Sequence, residues 1–234
     1  MFVPLRDDNP LKHIQFQTVT TAIVLANIAV FLLSSTGATE SAIASFAVIP
    51  SELFGLVPQA ISQTVVVPEN LTLLSYQFFH GDIWHLVGNM LFLWVFGDNV
   101  EDAMGHIRFL IFYLLCGILA GLTHAFIAPT SGVPLIGASG SVAGVIAAYL
   151  MLHPKVQVWV LAFSVLPMRI SATIVLGAWI VTQIVMVLTP QIGPVAWWAH
   201  IGGLVAGALL VIVFKRSDVR LFDKGLPAGA RIGR

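Results

Sequence analysis

The sequence predicts an all-α polytopic membrane protein, a bundle of six transmembrane helices with a long, partly embedded first loop. Three observations carry that expectation. Of the 234 residues, 58% are hydrophobic and only 9% charged, with a mean hydropathy of +0.93, whereas a soluble domain carries roughly 25% charged residues. Six stretches are long and apolar enough to cross a hydrocarbon core about 30 Å thick at about 1.5 Å rise per residue. All eleven Lys and Arg residues fall on one side of a six-span arrangement, as the flanks facing the cytoplasm do. Strand-type alternation over ten-residue units is absent, which argues against an outer-membrane barrel. Zero net charge without a basic run gives no nucleic-acid surface. A lone Cys116 excludes a disulfide framework and a four-cysteine metal site. The chain reads as one domain over residues 1–234.

Span 1, about 18–36, follows Arg6 and Lys12. A cleaved signal peptide ending near Thr36-Gly37-Ala38 would leave an odd number of spans, in conflict with the charges. The loop 37–83 carries Glu40, Glu52 and Glu69 but no base, and is rich in Phe, Leu, Val and Ile. That composition places it in the outer interface as short amphipathic pieces. Span 2 covers about 84–100, and Arg108 stands in the turn to span 3, about 107–127. Span 4, about 138–153, ends before Pro154. Lys155 and Arg169 separate it from span 5, about 170–188. Span 6, about 196–214, leads into a tail holding Lys215, Arg216, Arg220, Lys224, Arg231 and Arg234. The loops 37–83, 128–137 and 189–195 hold no basic residue, so both termini are expected in the cytoplasm.

Polar groups inside apolar spans are costly and mark candidate sites. Spans 2, 4 and 6 enter from the outer side, and each places such groups near that end. Span 2 carries His85 and Asn89, four apart and so on one helix face. Span 4 opens with Gly137-Ala138-Ser139-Gly140-Ser141, and span 6 carries His200 after Trp197 and Trp198. A helix from Ser139 to His153 reaches roughly 22 Å, which sets Ser139 below the outer surface. Gly140, Ala143, Gly144 and Ala147 form a small-residue stripe on span 4, and Gly203 and Gly207 follow His200 on span 6. Such stripes let two backbones approach closely, and a hydroxyl and an imidazole on separate helices need that approach.

The chemistry these residues offer is nucleophilic acyl transfer. Neutral His200 would take the proton of Ser139 and return it to the leaving amine. Backbone N–H groups at the start of span 4 would face the developing oxyanion, and His85 and Asn89 would complete that hole. No acidic residue is placed to orient His200, so a dyad is expected and not a triad.

The chain resembles the rhomboid intramembrane serine proteases over nearly its whole length. Three blocks carry the likeness. His80-Gly81-Asp82-Ile83-Trp84-His85-Leu86-Val87-Gly88-Asn89 is similar to the family's second-span block. Gly137-Ala138-Ser139-Gly140 resembles its Gly-x-Ser-Gly nucleophile motif, and Ala199-His200-Ile201-Gly202-Gly203 through Gly207 resembles the block around its general base. The resemblance implies a six-helix rhomboid-like bundle with Ser139 as nucleophile and His200 as base. His85, Asn89 and the segment of Gly137 and the Ser139 amide would form the oxyanion and substrate-binding side. It implies a structural role for Glu101, Gly105 and Arg108, and a first loop partly embedded in the outer leaflet. It further implies single-span membrane proteins as substrates. One departure stands out: many members carry an aromatic residue one turn after the nucleophile, packed on the histidine, and here that position is Ala143. His200 is expected to be held by Trp197 or Trp198 instead, or to be more mobile.

Cys116 reads as a small core residue. His80 either lines a water path or sits at the interface. His124 reads as a satisfied polar residue, and His106 and His153 as span-end residues. His80, His85 and His200 lack a carboxylate or thiolate to complete a metal site, so neither metal nor cofactor is expected. The alternative to the protease is a catalytically inactive rhomboid-like protein that binds membrane clients. The bacterial cytoplasmic (inner) membrane is the expected location.

Overall fold

The computed structural model describes residues 2–35, 44–57, 67–162, 165–189 and 195–222. Six long helices dominate: α1 (Thr18–Ser34), α2 (Ile83–Met104), α3 (His106–Ile127), α4 (Ser139–Leu152), α5 (Ala172–Leu188) and α6 (Trp197–Phe214). Their bounds lie within a few residues of the six predicted stretches. The largest difference is at α2, which runs four residues beyond Val100. Two of the six, α3 and α6, are long and apolar enough to cross a membrane by length and composition.

The extra turn of α2 has a physical cause. Its acids, unfavourable in lipid, are consumed by the N-terminal segment. Fully buried Glu101 accepts bonds from Val19 N–H (2.9 Å), Thr20 N–H (2.8 Å) and the Thr20 hydroxyl (2.7 Å). These are the donors that a helix start leaves without partners; α1 is thus capped by a side chain from α2. Asp102 accepts the amides of Lys12, His13 and Ile14. α2 then stops at Gly105, whose φ of +85° suits glycine. His106, read from the sequence as an ordinary span-end residue, pairs with Glu101 at 2.5 Å. Arg108 is exposed.

The all-α expectation needs correction. Strands β1 (Phe2–Asp7), β2 (Gln157–Ala162) and β3 (Leu166–Ser171) form an antiparallel sheet in the order β1-β2-β3, with Val3 opposite Leu161 and Val158 opposite Ile170. Val158, Val160 and Ala162 alternate inward, and the two valines join the main core beside Tyr149 and Leu176. The Asp8 carboxylate meets Arg169 at 2.6 Å, and Tyr149 of α4 donates to the Asp7 carboxylate at 2.5 Å. Arg216 N–H reaches the Ala103 carbonyl and Phe222 N–H the Met151 carbonyl. The ends of the helices that border the basic residues are therefore knitted together at one end of the bundle.

The core centres on α2, α3 and α4 through Leu93, Phe96, Val100, Phe109, Phe112, Tyr113, Ile146 and Leu152, all fully buried. Large aliphatics face outward on the flanking helices, from Leu33 at 73% exposed to Leu188 at 79%. The first loop supplies a short helix Pro50–Leu53, a second at Glu69–Ser75 and a 3-10 turn at Tyr76–Phe78. Short pieces were expected there; Ala47, Val48, Ile49, Tyr76 and Gln77 are nevertheless buried against the protein. The Thr36-Gly37-Ala38 stretch, Glu40 and the basic residues Lys224, Arg231 and Arg234 lie outside the described residues.

Candidate active site

Ser139 is the first residue of α4, as the sequence predicts. The segment leading to it is braced by the first loop. Val48 and Leu135 exchange both backbone bonds (3.1 and 2.8 Å), Ser51 N–H donates to the Ser131 carbonyl, and Gly137 N–H donates to the Tyr76 carbonyl at 3.0 Å. A step further, the Ser141 hydroxyl donates to Gln77 Oε1 at 2.8 Å. The amide of Gly137 is thus already engaged, and its contribution is shape. Its φ is +124°, and a Cβ there would meet His85 Nε2 at 2.8 Å. Ser139 Oγ lies 3.8 Å from that same point, so His85 and Ser139 flank the Gly137 turn.

α4 and α6 meet through glycines. A Cβ on Gly203 would fall 2.0 Å from the Gly140 carbonyl oxygen, and one on Gly207 would fall 2.2 Å from that of Gly144. Cys116 of α3 fills the groove beside Gly144, as its reading as a small core residue expects. This seam brings His200 Nε2 within 2.9 Å of Ser139 Oγ, with His200 only 8% exposed. Of the two tryptophans expected to hold His200, Trp197 does so edge-on at 5.8 Å between ring centres. Two further residues, both from α5, were missed. The ring of Trp179 lies 5.9 Å away, inclined 34°, and Gln183 Oε1 sits 2.7 Å from His200 Nδ1. The signal was present: Gln183 is the one amide in a stretch whose other polar side chains are small hydroxyls or an indole, and an intramembrane polar group is a site hypothesis by default.

At the start of α2, Asp82 caps the helix by accepting the amides of Trp84 (2.8 Å) and His85 (2.9 Å). Those bonds, the His85 amide foremost, hold its carboxyl below the usual range. The fixed first turn aims His85 at the Gly137 turn. His80 stands edge-on to His85 at 4.9 Å. Burial first, then the neighbouring His85, lowers its pKa to about 4, so it stays neutral and Nε2 accepts from Asn89 Nδ2 at 3.0 Å. Asn89 is therefore linked to the site through His80. Ser139, His200, His85, Gly137, His80 and Asn89 form one continuous constellation at the end of the bundle opposite the sheet.

The Rhomboid domain family matches residues 68–217, more than half of the chain. The chain is 28% identical over 155 residues to RHOMBOID-like protein 12, mitochondrial, of Arabidopsis thaliana, covering 59% of this chain and 44% of that protein. It is 29% identical over 169 residues to Rhomboid protein 1, mitochondrial, of Saccharomyces cerevisiae, covering 70% and 48%. Presenilin-associated rhomboid-like protein A, mitochondrial, of Danio rerio is 29% identical over 145 residues, covering 58% and 36%. The chain spans about half the length of the curated relatives it matches. The compartments in these names are organellar and give no support to the bacterial inner membrane expected above. The family match and the apolar outer surface make this an integral membrane protein, and the chain belongs to the rhomboid family.

Proposed function

We propose that this rhomboid-family protein is an intramembrane serine endopeptidase, a single domain of six crossings with both termini in the cytoplasm. Its substrates are single-span membrane proteins, taken from the bilayer. One observation carries the reading: Ser139 Oγ and His200 Nε2 are 2.9 Å apart across the glycine seam. Hydroxyl and imidazole on separate helices have that separation when one is to deprotonate the other.

In this mechanism Ser139 Oγ attacks the scissile carbonyl carbon while its proton passes to His200 Nε2. The carbonyl electron pair moves to oxygen, where the Ser139 amide, His85 and Asn89 offer donors. Asn89 reaches that role by turning from His80, or with the second hydrogen of its amide. The intermediate collapses, the C–N bond breaks, and His200 returns the proton to the leaving amine. Water then attacks the acyl-enzyme by the reverse sequence, losing its proton to His200 and releasing the acid and Ser139. The gathering of Arg6, Lys12, Lys155, Arg169, Lys215 and Arg216 at the sheet end supports a cytoplasmic placement of that end, which turns the serine outward.

The test uses purified protein in detergent and a fluorophosphonate probe, with the modified residue mapped by mass spectrometry. Labelling at Ser139 that disappears in His200→Ala is the expected result. Folded protein that takes no label, yet still binds single-span clients, would instead establish the inactive binding protein.

A further inference from the structure

Resting on that reading, we infer that Gln183 of α5 is a positioning residue for the general base, a neutral third member that fixes which nitrogen of His200 receives the serine proton. The two ends of the Gln183 amide are distinguishable. Gln183 Nε2 lies 3.0 Å from the Trp179 carbonyl oxygen. A carbonyl only accepts, so the atom facing it is the NH2 group. The atom facing His200 Nδ1 at 2.7 Å is therefore the oxygen, which accepts and cannot donate. Neutral imidazole carries a single N–H, and Gln183 draws it to Nδ1. Nε2 is left with its lone pair directed at Ser139 Oγ, 2.9 Å away. The opposite tautomer would set a lone pair against the Gln183 oxygen and a hydrogen against the serine, and could take no proton from Ser139.

Packing makes the arrangement firm. Gln183 is 3% exposed, and beyond Leu176 it is the one buried residue of α5. Neighbours Ile184, Val185 and Leu188 all face outward. In the outer half of α5 the buried side chain is thus the one that holds the base. Trp179, one turn below, supplies both the carbonyl that orients the amide and a ring beside the imidazole. Ala143 leaves no aromatic on the α4 side of His200, so the ring and the acceptor both come from α5.

A neutral acceptor has a chemical consequence. It sets the tautomer and the ring plane without adding negative charge to stabilise the imidazolium, which an acid in the same place would do. The groups facing His200 are Ser139 from α4, Gln183 and Trp179 from α5, and His85 from α2, while Trp197 comes from its own helix. His85 is the titratable one among them, and Asp82 interacts with His85 and His80. Among the described residues, a carboxylate introduced at 183 would be the sole acid in contact with the base.

The experiment measures the rate of fluorophosphonate labelling at Ser139 from pH 3 to 9 for wild type, Gln183→Leu and Gln183→Glu, with melting temperatures recorded in parallel. Leu keeps the bulk and removes the acceptor; labelling should slow by at least about tenfold in protein that remains folded. Glu restores the acceptor as a carboxylate. Labelling should return at neutral pH and above, with its acidic midpoint moved upward by about one pH unit or more. Wild-type rates in folded Gln183→Leu would overturn the assignment, as would Gln183→Glu with an unmoved midpoint. Silence of the wild type itself would sink the dyad reading, and this one with it.

Discussion

Gly203 of α6 lies against Gly140 of α4 so closely that a Cβ on the former would stand 2.0 Å from the carbonyl oxygen of the latter. The contact is backbone against backbone, and no rotamer change relieves it. Gly203→Ala should cost about 1–3 kcal/mol of stability, the usual penalty of overpacking, and slow labelling of Ser139 by spreading the two helices. Gly203→Leu should not fold to the wild-type state. Detergent melting curves and labelling rates measure both effects, and an alanine variant matching wild type on each would contradict the seam.

Long-range backbone pairing separates what the sequence shows of this fold from what it conceals. The helices follow from apolar length, the end of α4 from Pro154, and Ser139 and His200 from polarity where lipid exacts a cost. The seam is visible because Gly203 and Gly207 recur at helical spacing opposite Gly140 and Gly144. The sheet was hidden, because β2 is only six residues long and its partner β1 lies some 155 positions away. Gln183 was visible as an amide inside an apolar span, but its partner was not: it sits 17 residues from His200 with no periodic relation to it. The bond from Gly137 to the Tyr76 carbonyl involves no side chain at all, so no pattern of residue types announces it.

Glu101 concentrates the attachment of α1 in a single carboxylate. Truncating it to Ala leaves the Val19 amide and both Thr20 donors without their acceptor, and each buried donor so stranded costs about 1–3 kcal/mol. Glu101→Ala should lose roughly 3 kcal/mol or more and open the segment 9–17 to protease. Glu101→Gln, which keeps one acceptor oxygen, should fall between the two. Unchanged melting and cleavage in Glu101→Ala would show that α1 is held by packing alone.

Asp7 brings a pH dependence to the sheet end. Burial raises its pKa from 3.8 to about 6, against the lowering effect of the Tyr149 bond. A carboxyl that binds its proton more tightly when folded stabilises the fold below pH 4, and that contribution is lost as pH rises through 6. Asp7→Asn keeps an oxygen for the Tyr149 hydroxyl and abolishes the titration. The melting temperature of the variant should decline less than that of wild type between pH 4.5 and 7.5. Parallel curves for the two proteins would place the titration elsewhere.

Ala143 tests whether the family's common aromatic would improve this site. Resemblance alone recommends restoring it, since a ring one turn after the nucleophile packs on the histidine in many members. The geometry opposes that. Ala143 is fully buried, and its Cβ lies 3.2 Å from where a Cβ of Gly203 would stand, so the position faces the seam at its narrowest part. The ring contacts of His200 are already filled by Trp179 and Trp197. A phenyl ring at 143 would push α6 from α4 and carry His200 away from Ser139. Ala143→Phe should therefore lose stability by about 1–3 kcal/mol and label more slowly than wild type. Faster labelling with a higher melting temperature would mean that the two helices yield easily and that the departure at Ala143 leaves a gap unfilled.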